Sequence, residues 1–210
     1  MPSAPRVAIL GATGAVGEVM RRVLAERAFP LDDLVCLASE RSAGRRVSFG
    51  DDEVEVKAVS AEAFEGVDLA LFSAGASRSR EWAPVAVRAG AVVVDNSSAF
   101  RMQPDVPLVV ADVNPHALAA HQGVIANPNC STMQLVPALK VLRDAAGLEH
   151  VTVATYQSVS GTGQHAIEAL RAESRAVLDG EAAEARVYPH PIAFNALPVA
   201  GSFAGDDGYT

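Results

Sequence analysis

The first 27 residues combine an apolar run, a turn rich in glycine and a helical repeat of apolar positions. The run "RVAIL" predicts a buried strand, and "GATGAVG" follows it directly. Apolar residues then recur with helical spacing. They are Val16, Val19, Met20, Val23 and Leu24. The pattern predicts a strand, a tight turn and an amphipathic helix whose apolar side packs on the strand.

Short apolar runs continue through the next hundred residues and predict further strands. They lie at residues 34–39, 54–59, 67–75, 91–98 and 107–113. Residues 54–59 alternate between apolar and polar, so we expect this strand at an edge of the sheet. The segment "SRSREWAPVAVRAG" predicts a helix that ends at Gly90. Continuous apolar strands that alternate with helices are typical of a parallel α/β sheet covered on both faces.

The pattern changes after residue 127. Residues 131–146 predict a helix, residues 151–161 a long strand, and residues 163–178 a second helix. We therefore predict two domains, residues 1–127 and residues 128–210.

Composition narrows the classes of function. The chain has 210 residues, half of them hydrophobic, and a net charge of −8. An acidic chain is unsuited to nucleic acid or an anionic membrane as its main partner. The start "MPSAPRVAIL" does not resemble a signal peptide, and no apolar run is long enough to span a membrane. Two cysteines, Cys36 and Cys130, cannot form a disulfide framework, so we expect free thiols in a reducing cytoplasm.

The glycine turn predicts a dinucleotide site. Gly11, Gly14 and Gly17 stand between the first strand and the first helix. Glycine allows a tight turn and lets backbone N–H groups approach a pyrophosphate, whose charge the helix N-terminus favours. The spacing is G-x-x-G-x-x-G, so the placement of the motif carries more weight than its spacing.

The segment "ASERSAGRR" after the second predicted strand bears on the choice between NAD and NADP. Glu40 can accept a hydrogen bond from a ribose 2′-hydroxyl, whereas Arg41, Ser42, Arg45 and Arg46 can neutralise a 2′-phosphate. We favour NADP, with Arg41 and Ser42 as its ligands. The alternative is a solvated loop without a ligand.

The segment "IANPNCSTMQ" places Cys130 at the start of a predicted helix. Asn-Pro initiates a turn, and Ser131 and Thr132 suit a first helical turn. A helix N-terminus stabilises a thiolate, which makes Cys130 a candidate nucleophile. Pro137 removes one backbone hydrogen bond from this helix. Cys36 lies inside an apolar run and is expected to be packed in the core.

Six segments in the same order resemble the aspartate-semialdehyde dehydrogenases. They are "GATGAVGEVMRRVL", "ASERSAGR", "VVDNSSAFRM", "NPNCSTMQL", "VSGTGQHAIEAL" and "PIAFNALP". The resemblance continues to the final "GDDGYT" and implies a Rossmann-like, doubly wound parallel sheet. Part of a second α+β domain, for catalysis and dimerisation, is expected to follow it.

The resemblance also implies a reaction. NADPH reduces L-aspartyl 4-phosphate to L-aspartate 4-semialdehyde and phosphate on the route to lysine, methionine, threonine and isoleucine. The expected partners are these small molecules and further copies of the chain in a dimer or tetramer. Neither nucleic acid nor a membrane is an expected partner, and no metal site is predicted.

The resemblance assigns roles to individual residues. Cys130 forms a thioester with the substrate, Asn129 helps to place the substrate, and Gln157 orients it. Arg101 binds the phosphoryl group, with Asn96 as a weaker companion. The implied cofactor contacts are Gly11, Thr13, Gly14, Ala15, Val16, Gly17, Arg41, Ser42, Ser160 and Gly161.

Two groups that the family uses are expected beyond residue 210, a proton-transferring histidine and an arginine for the substrate carboxylate. The histidines of this chain are His116, His121, His150, His165 and His190, and none matches that position. We interpret His165 as a helix-start or surface residue. The chain is thus expected to bind NADP, while its turnover stays open. Two alternatives remain, an enzyme similar to N-acetyl-glutamyl-phosphate reductase and a non-catalytic NADP-binding fragment.

Overall fold

The computed structural model describes residues 4–198. The chain divides into two compact units, residues 1–151 and residues 152–210. The first unit holds the sheet, and the regular elements in the described part of the second are helices. No helix in residues 4–198 is long and apolar enough to cross a membrane. The domain boundary predicted after residue 127 stays a prediction.

The first unit is built on a sheet of seven strands. They are β1 (Arg6–Leu10), β2 (Asp33–Ala38), β3 (Arg46–Phe49), β4 (Asp52–Ala58), β5 (Leu69–Phe72), β6 (Val92–Asp95) and β7 (Val124–Ala126). Their order is β3-β4-β2-β1-β5-β6-β7, and only the pairing of β3 with β4 is antiparallel. The six parallel strands follow the Rossmann order 3-2-1-4-5-6, so the predicted fold class is confirmed.

The described part of the chain has four α-helices beside the strands. They are α1 (Ala15–Glu26), α2 (Ala76–Arg88), α3 (Cys130–Ala146) and α4 (Gln164–Leu178). Short 3-10 helices lie at Glu40–Ser42, Glu62–Phe64, Pro115–Ala120 and Val159–Thr162. Of the elements in the described residues, α4 and the last 3-10 helix belong to the second unit.

The core occupies both faces of the sheet because successive strand residues point to opposite sides. Ala8 and Leu10 belong to one cluster, which includes Phe64 and Phe72 with ring centroids 6.0 Å apart. Val7 and Ile9 belong to the other, with Cys36 and Val56. Both faces are therefore buried, as the continuous apolar runs predict.

Three predicted strands differ in the structure. Residues 54–58 belong to β4, which lies inside the sheet because β3 pairs with its outer edge. Residues 107–113 make one isolated bridge, Leu108 to Ala126, since Asn114 Oδ1 accepts from Val110 N at 2.8 Å and the chain turns there. Residues 151–158 have no regular structure, and a 3-10 helix follows at Val159–Thr162.

The inward face of α1 also differs from the apolar repeat. Val16 and Val19 are 40 % and 45 % exposed, so their predicted packing is wrong. Gly17 and Arg21 are the buried residues of α1, and Met20 and Leu24 pack beside the sheet. The inward face of α1, which lies close to the glycine turn, therefore carries Gly17 and Arg21 in place of Val16 and Val19.

Candidate functional site

The glycine turn lies at the carboxyl end of β1, in the middle of the sheet. Gly11 and Ala12 donate their N–H groups to Leu37 O at the end of β2, at 2.9 and 3.1 Å. Gly11 has φ +93°, and a Cβ there would lie 2.5 Å from Ser73 O, in the loop after β5. Only glycine fits this position, because the loops after β1 and β5 approach each other through it.

Glycine occupies the other two positions of the turn for different reasons. A Cβ on Gly17 would lie 2.2 Å from Gly11 O, so Gly17 is required by the contact of α1 with the turn. A Cβ on Gly14 would come no closer than 3.4 Å to any neighbour, again Gly11 O, and Gly14 has φ −81°. The protein itself therefore tolerates a side chain at Gly14, and the open space there suits a ligand that approaches the backbone.

The N-terminus of α1 supplies hydrogen-bond donors to that space. Gly14 is the N-cap residue, and no side chain caps the helix. The first N–H groups of a helix have no intrahelical partner and carry the positive end of its dipole. Thr13, Ala15 and Val16 surround Gly14 here. The site also lies where the strand order reverses, between β1 and β5. A pyrophosphate fits this cradle, because dinucleotides bind at such switch points.

Arg41 and Ser42 lie in the 3-10 helix that follows β2. The guanidinium of Arg41 is exposed and has no polar partner among residues 4–198. By contrast, Arg46 Nε forms an ion pair with Glu53 Oε2 at 2.9 Å across the β3–β4 hairpin. Of these two arginines, Arg41 therefore has a side chain ready for an anionic ligand, and Arg46 serves the hairpin.

A buried carboxylate organises the end of β6. Asp95 is fully buried; its Oδ1 accepts from Ser79 Oγ at 2.7 Å and Ser97 N at 3.1 Å, and its Oδ2 accepts from Ser97 Oγ at 2.7 Å. Its backbone oxygen accepts from Asn127 N at 2.9 Å. Asp95 thus connects α2 with the two loops that leave β6 and β7.

Arg101 joins the same two loops. Its Nε donates to Asn127 O at 2.8 Å, and its Nη2 donates to Asn96 O at 3.2 Å. The predicted pair of Arg101 and Asn96 therefore lies together, although Asn96 contributes its backbone oxygen to this contact. Arg101 is half-buried, so its planar fork is held by two carbonyls while it keeps contact with solvent.

Cys130 is the first residue of α3 and is exposed. Asn129 is the N-cap, and its Oδ1 accepts from Ser131 N at 2.9 Å. The Cys130 Sγ lies 3.9 Å from the same Oδ1. Cys130 follows Asn127, which Arg101 contacts, by three positions. The predicted helix start and the exposure of the thiol are thus both present.

Cys36 has the opposite environment. It lies fully buried in β2, and burial raises the pKa of its thiol to about 11, while the positive charge of Arg21 acts in the lowering direction. A thiol with such a pKa is protonated at neutral pH and does not act as a nucleophile. The prediction that Cys36 is packed in the core is confirmed.

The remaining predicted residues lie in the second unit. Gln157 is exposed, and its Nε2 donates to Thr155 Oγ1 at 3.3 Å. Ser160 and Gly161 lie in the 3-10 helix Val159–Thr162, where Ser160 N donates to Ser158 Oγ at 3.3 Å. His165 is exposed in the first turn of α4, as expected. Within the first unit, by contrast, the glycine turn, Arg101 and Cys130 share the carboxyl edge of one sheet.

Two residues beside this edge, Asp95 and Arg21, are not predicted by the sequence pattern. Asp95 carried a usable signal, because a carboxylate that ends the apolar run "AVVV" is buried by its own strand. Arg21 carried none, because "MRRVL" offers two adjacent arginines and only one faces inward.

Comparison with protein families agrees with this geometry. A family model described as "Semialdehyde dehydrogenase, NAD binding domain" matches residues 6–121. A second, "Semialdehyde dehydrogenase, dimerisation domain", matches residues 139–210.

Individual proteins give a consistent result. An aspartate-semialdehyde dehydrogenase from Aquifex aeolicus is 54% identical over 209 residues, which cover 98% of this chain and 61% of the relative. A crystal structure of aspartate semialdehyde dehydrogenase II complexed with ASA, from Vibrio cholerae, superposes with a TM-score of 0.94 at 49% identity, over 99% of this chain and 62% of that one. A crystal structure of aspartate semialdehyde dehydrogenase with NADP, from Candida albicans, has a TM-score of 0.55 at 25% identity. The match covers 70% of this chain and 48% of that one. The chain spans about three fifths of the length of the curated relative.

Proposed function

Because the chain belongs to the semialdehyde dehydrogenase family, we propose that the protein is an aspartate-semialdehyde dehydrogenase. It reduces L-aspartyl 4-phosphate to L-aspartate 4-semialdehyde with NADPH and releases phosphate. The observation that carries this proposal is the exposed thiol of Cys130 at the N-terminus of α3, on the sheet edge that also bears the glycine turn. An acyl-phosphate reductase needs both a nucleophile and a dinucleotide site.

Cys130 acts as the nucleophile. Its thiolate attacks the acyl carbon of the substrate, the bond from that carbon to the phosphate oxygen breaks, and phosphate leaves with the electron pair. The product of this step is a thioester on Cys130. NADPH, when bound, supplies the hydride that reduces the thioester carbon. The carbon–sulfur bond then breaks, the electrons return to sulfur, and the aldehyde leaves.

Arg101 binds the phosphoryl group of the substrate. The carbonyls of Asn96 and Asn127 hold its guanidinium in one plane and leave it further N–H donors. A fork held in this way matches the oxygens of a phosphate. Because Asn127 lies three residues before Cys130, the phosphoryl group and the thiol are brought together through one loop. Asn96, Asn129 and Gln157 complete the proposed substrate contacts.

The proposed cofactor is NADP(H), as in the Candida albicans structure. The residues that hold its pyrophosphate are Gly11, Thr13, Gly14, Ala15, Val16 and Gly17, and Ser160 and Gly161 are its proposed contacts in the second unit. Arg41 and Ser42 hold the 2′-phosphate, since the Arg41 guanidinium has no polar partner among residues 4–198. Arg41→Met is expected to weaken NADP+ binding at least tenfold and to leave NAD+ within about twofold.

The assembly and location of the protein are also proposals. The matched dimerisation domain, residues 139–210, supports a homo-oligomer, which we propose to be a dimer or tetramer. The proposed domain boundary after residue 127 assigns Cys130 to the catalytic domain. Free cysteines favour a reducing cytoplasm. Light scattering on the purified protein tests the oligomeric state.

The test of the activity is the reverse reaction. Aspartate semialdehyde, phosphate and NADP+ are expected to give NADPH, and omission of phosphate is expected to stop the reaction. Cys130→Ser should lower the rate by about a thousandfold or more, since it removes the nucleophile, while NADP+ binding persists. Cys36→Ser is the matched control, because the same substitution in the core leaves the site intact.

Two outcomes would overturn the assignment. Turnover of N-acetylglutamate semialdehyde in place of aspartate semialdehyde would identify the related reductase. Binding of NADP+ without turnover of either substrate would identify a non-catalytic binding protein.

A further inference from the structure

We propose that the buried guanidinium of Arg21 strengthens dinucleotide binding by acting on the pyrophosphate from beneath the glycine turn. This inference rests on the proposed binding of NADP(H) and adds a residue to it. Arg21 lies on α1 and is 5% exposed. Its Nε donates to Ala12 O, inside the turn, at 3.3 Å. Its Nη1 donates to the backbone and hydroxyl oxygens of Ser48 on β3.

The charge of Arg21 is not neutralised within the described part of the chain. Its hydrogen-bond partners are two carbonyls and a hydroxyl, and no carboxylate pairs with it there. Buried arginines are ordinarily paired with an anion, because an isolated charge is costly to remove from water. Neutral acceptors satisfy the N–H groups but leave the positive charge available to a ligand.

The charge also acts on its surroundings. The positive charge of Arg21 opposes the effect of burial on the pKa of the Cys36 thiol, in the neighbouring strand β2. A buried charge is screened by salt much less than an exposed one. The field of Arg21 therefore extends through the interior beside the turn.

The guanidinium lies beside the glycine turn, so its electrostatic field reaches the proposed pyrophosphate site at the start of α1. Long side chains on a helix point back towards its N-terminus, and Arg21 reaches Ala12, ahead of the helix start at Ala15. The guanidinium thus lies between the turn that begins α1 and Ser48 on β3. Its charge adds to the α1 dipole at the place where the first N–H groups of α1 are offered to a pyrophosphate.

A clamp between α1 and the β3 edge is the competing interpretation of Arg21. Substitutions separate the two, because a clamp depends on hydrogen-bond donors whereas a field depends on charge. Arg21→Gln keeps amide donors without the charge, and Arg21→Lys keeps the charge with fewer donors. Arg22→Met is the matched control, since Arg22 lies next along the helix, is exposed and pairs with Glu26.

Titration calorimetry with NADP+, NAD+ and 2′-AMP tests the inference on the whole protein. Arg21→Gln is expected to weaken NADP+ and NAD+ about tenfold each, because both carry the pyrophosphate. Arg21→Lys should stay within about threefold of the unsubstituted protein, and Arg22→Met within about twofold. Binding of 2′-AMP, which has no pyrophosphate, should not change.

Three other results would contradict the inference or the proposed function. Wild-type affinity in Arg21→Gln, with a lower unfolding midpoint, would make Arg21 a clamp and overturn the inference. An equal loss of 2′-AMP binding would also overturn it. If the unsubstituted protein bound no dinucleotide, the proposed function would fail instead, since that measurement involves no substitution of Arg21.

Discussion

Two turns on one sheet edge begin helices in different ways. The turn after β1 begins α1 at Gly14 without a capping side chain. The turn after β7 begins α3 at Asn129, whose side chain accepts from Ser131 N, and the next residue is the exposed Cys130. The first turn leaves its backbone donors to a ligand. The second satisfies a donor internally and presents a side chain. The same position in the fold thus suits a cofactor phosphate in one case and a nucleophile in the other.

The two turns are also held by different forces. Steric contact shapes the glycine turn, since added Cβ atoms on Gly11 and Gly17 would lie 2.5 Å from Ser73 O and 2.2 Å from Gly11 O. Hydrogen bonds hold the Cys130 turn, through Asp95 and Arg101. We therefore expect the first turn to be sensitive to added volume and the second to lost acceptors.

The largest loss of stability that we expect is that of Gly17→Ala. Alanine normally favours a helix, so any loss of stability must come from the contact with Gly11 O. We expect the free energy of unfolding to fall by about 3 kcal/mol, measured by urea denaturation. Gly14→Ala is the matched variant, which should keep stability within about 1 kcal/mol and weaken NADP+ binding at least tenfold. Equal destabilisation by both substitutions would remove the distinction between a steric glycine and a ligand-facing one.

Asp95→Asn tests the second turn. The amide is nearly the same size, but its NH₂ group would face the hydroxyl and N–H donors from which the carboxylate now accepts hydrogen bonds. We expect a loss of about 2–3 kcal/mol in the free energy of unfolding. Asp51→Asn, on the exposed β3–β4 hairpin, should change it by less than about 0.5 kcal/mol. A small effect at Asp95 would mean that hydrogen bonding does not hold the loops after β6 and β7.

The two cysteines extend the comparison to pH. The pKa of Cys36 is raised from 9.0 to about 11, so the folded state holds this proton more tightly than the unfolded state. The associated stability is complete below pH 9 and is lost as the pH rises to 11, by about 2–3 kcal/mol in total.

Urea denaturation across this pH window measures that loss. Cys36→Ala should remove this part of the decline, and Cys130→Ser should retain it. Thiol labelling at pH 8 should modify the exposed Cys130 rapidly and the buried Cys36 only on unfolding. A decline of the same size in Cys36→Ala would assign it to other groups.

The glycine turn, the helix at Cys130 and the parallel sheet were predictable because each depends on local chemistry. Gly11–Gly17 and Asn127–Thr132 carry turn and helix-start residues in the order that their geometry needs. The strand predicted at residues 151–161 does not form, and the sequence alone does not reveal this. An apolar alternating run forms a strand only beside a partner, and residues 151–158 pair with no strand among residues 4–198.

Arg21 shows a second limit of the sequence. Helical periodicity assigned Val16 and Val19 to the inward face, yet both are exposed. Gly17 contacts the turn, and Arg21, four residues further along the same face of α1, also faces inward, where carbonyls of the turn and of β3 accept from it. That arrangement depends on three segments meeting, and no one of them carries the signal alone.

The smallest effect that we expect comes from the cap of α3. Asn129→Ala removes the acceptor of the Ser131 N–H and should lower the free energy of unfolding by about 1 kcal/mol in urea denaturation. Asn129→Asp retains an acceptor and should stay within about 0.5 kcal/mol of the original protein. At α1, Gly14 provides no side-chain cap, so Gly14→Ala removes none. If Asn129→Ala also proved neutral, α3 would begin, like α1, without help from its cap, and the two helix starts would differ only in the thiol.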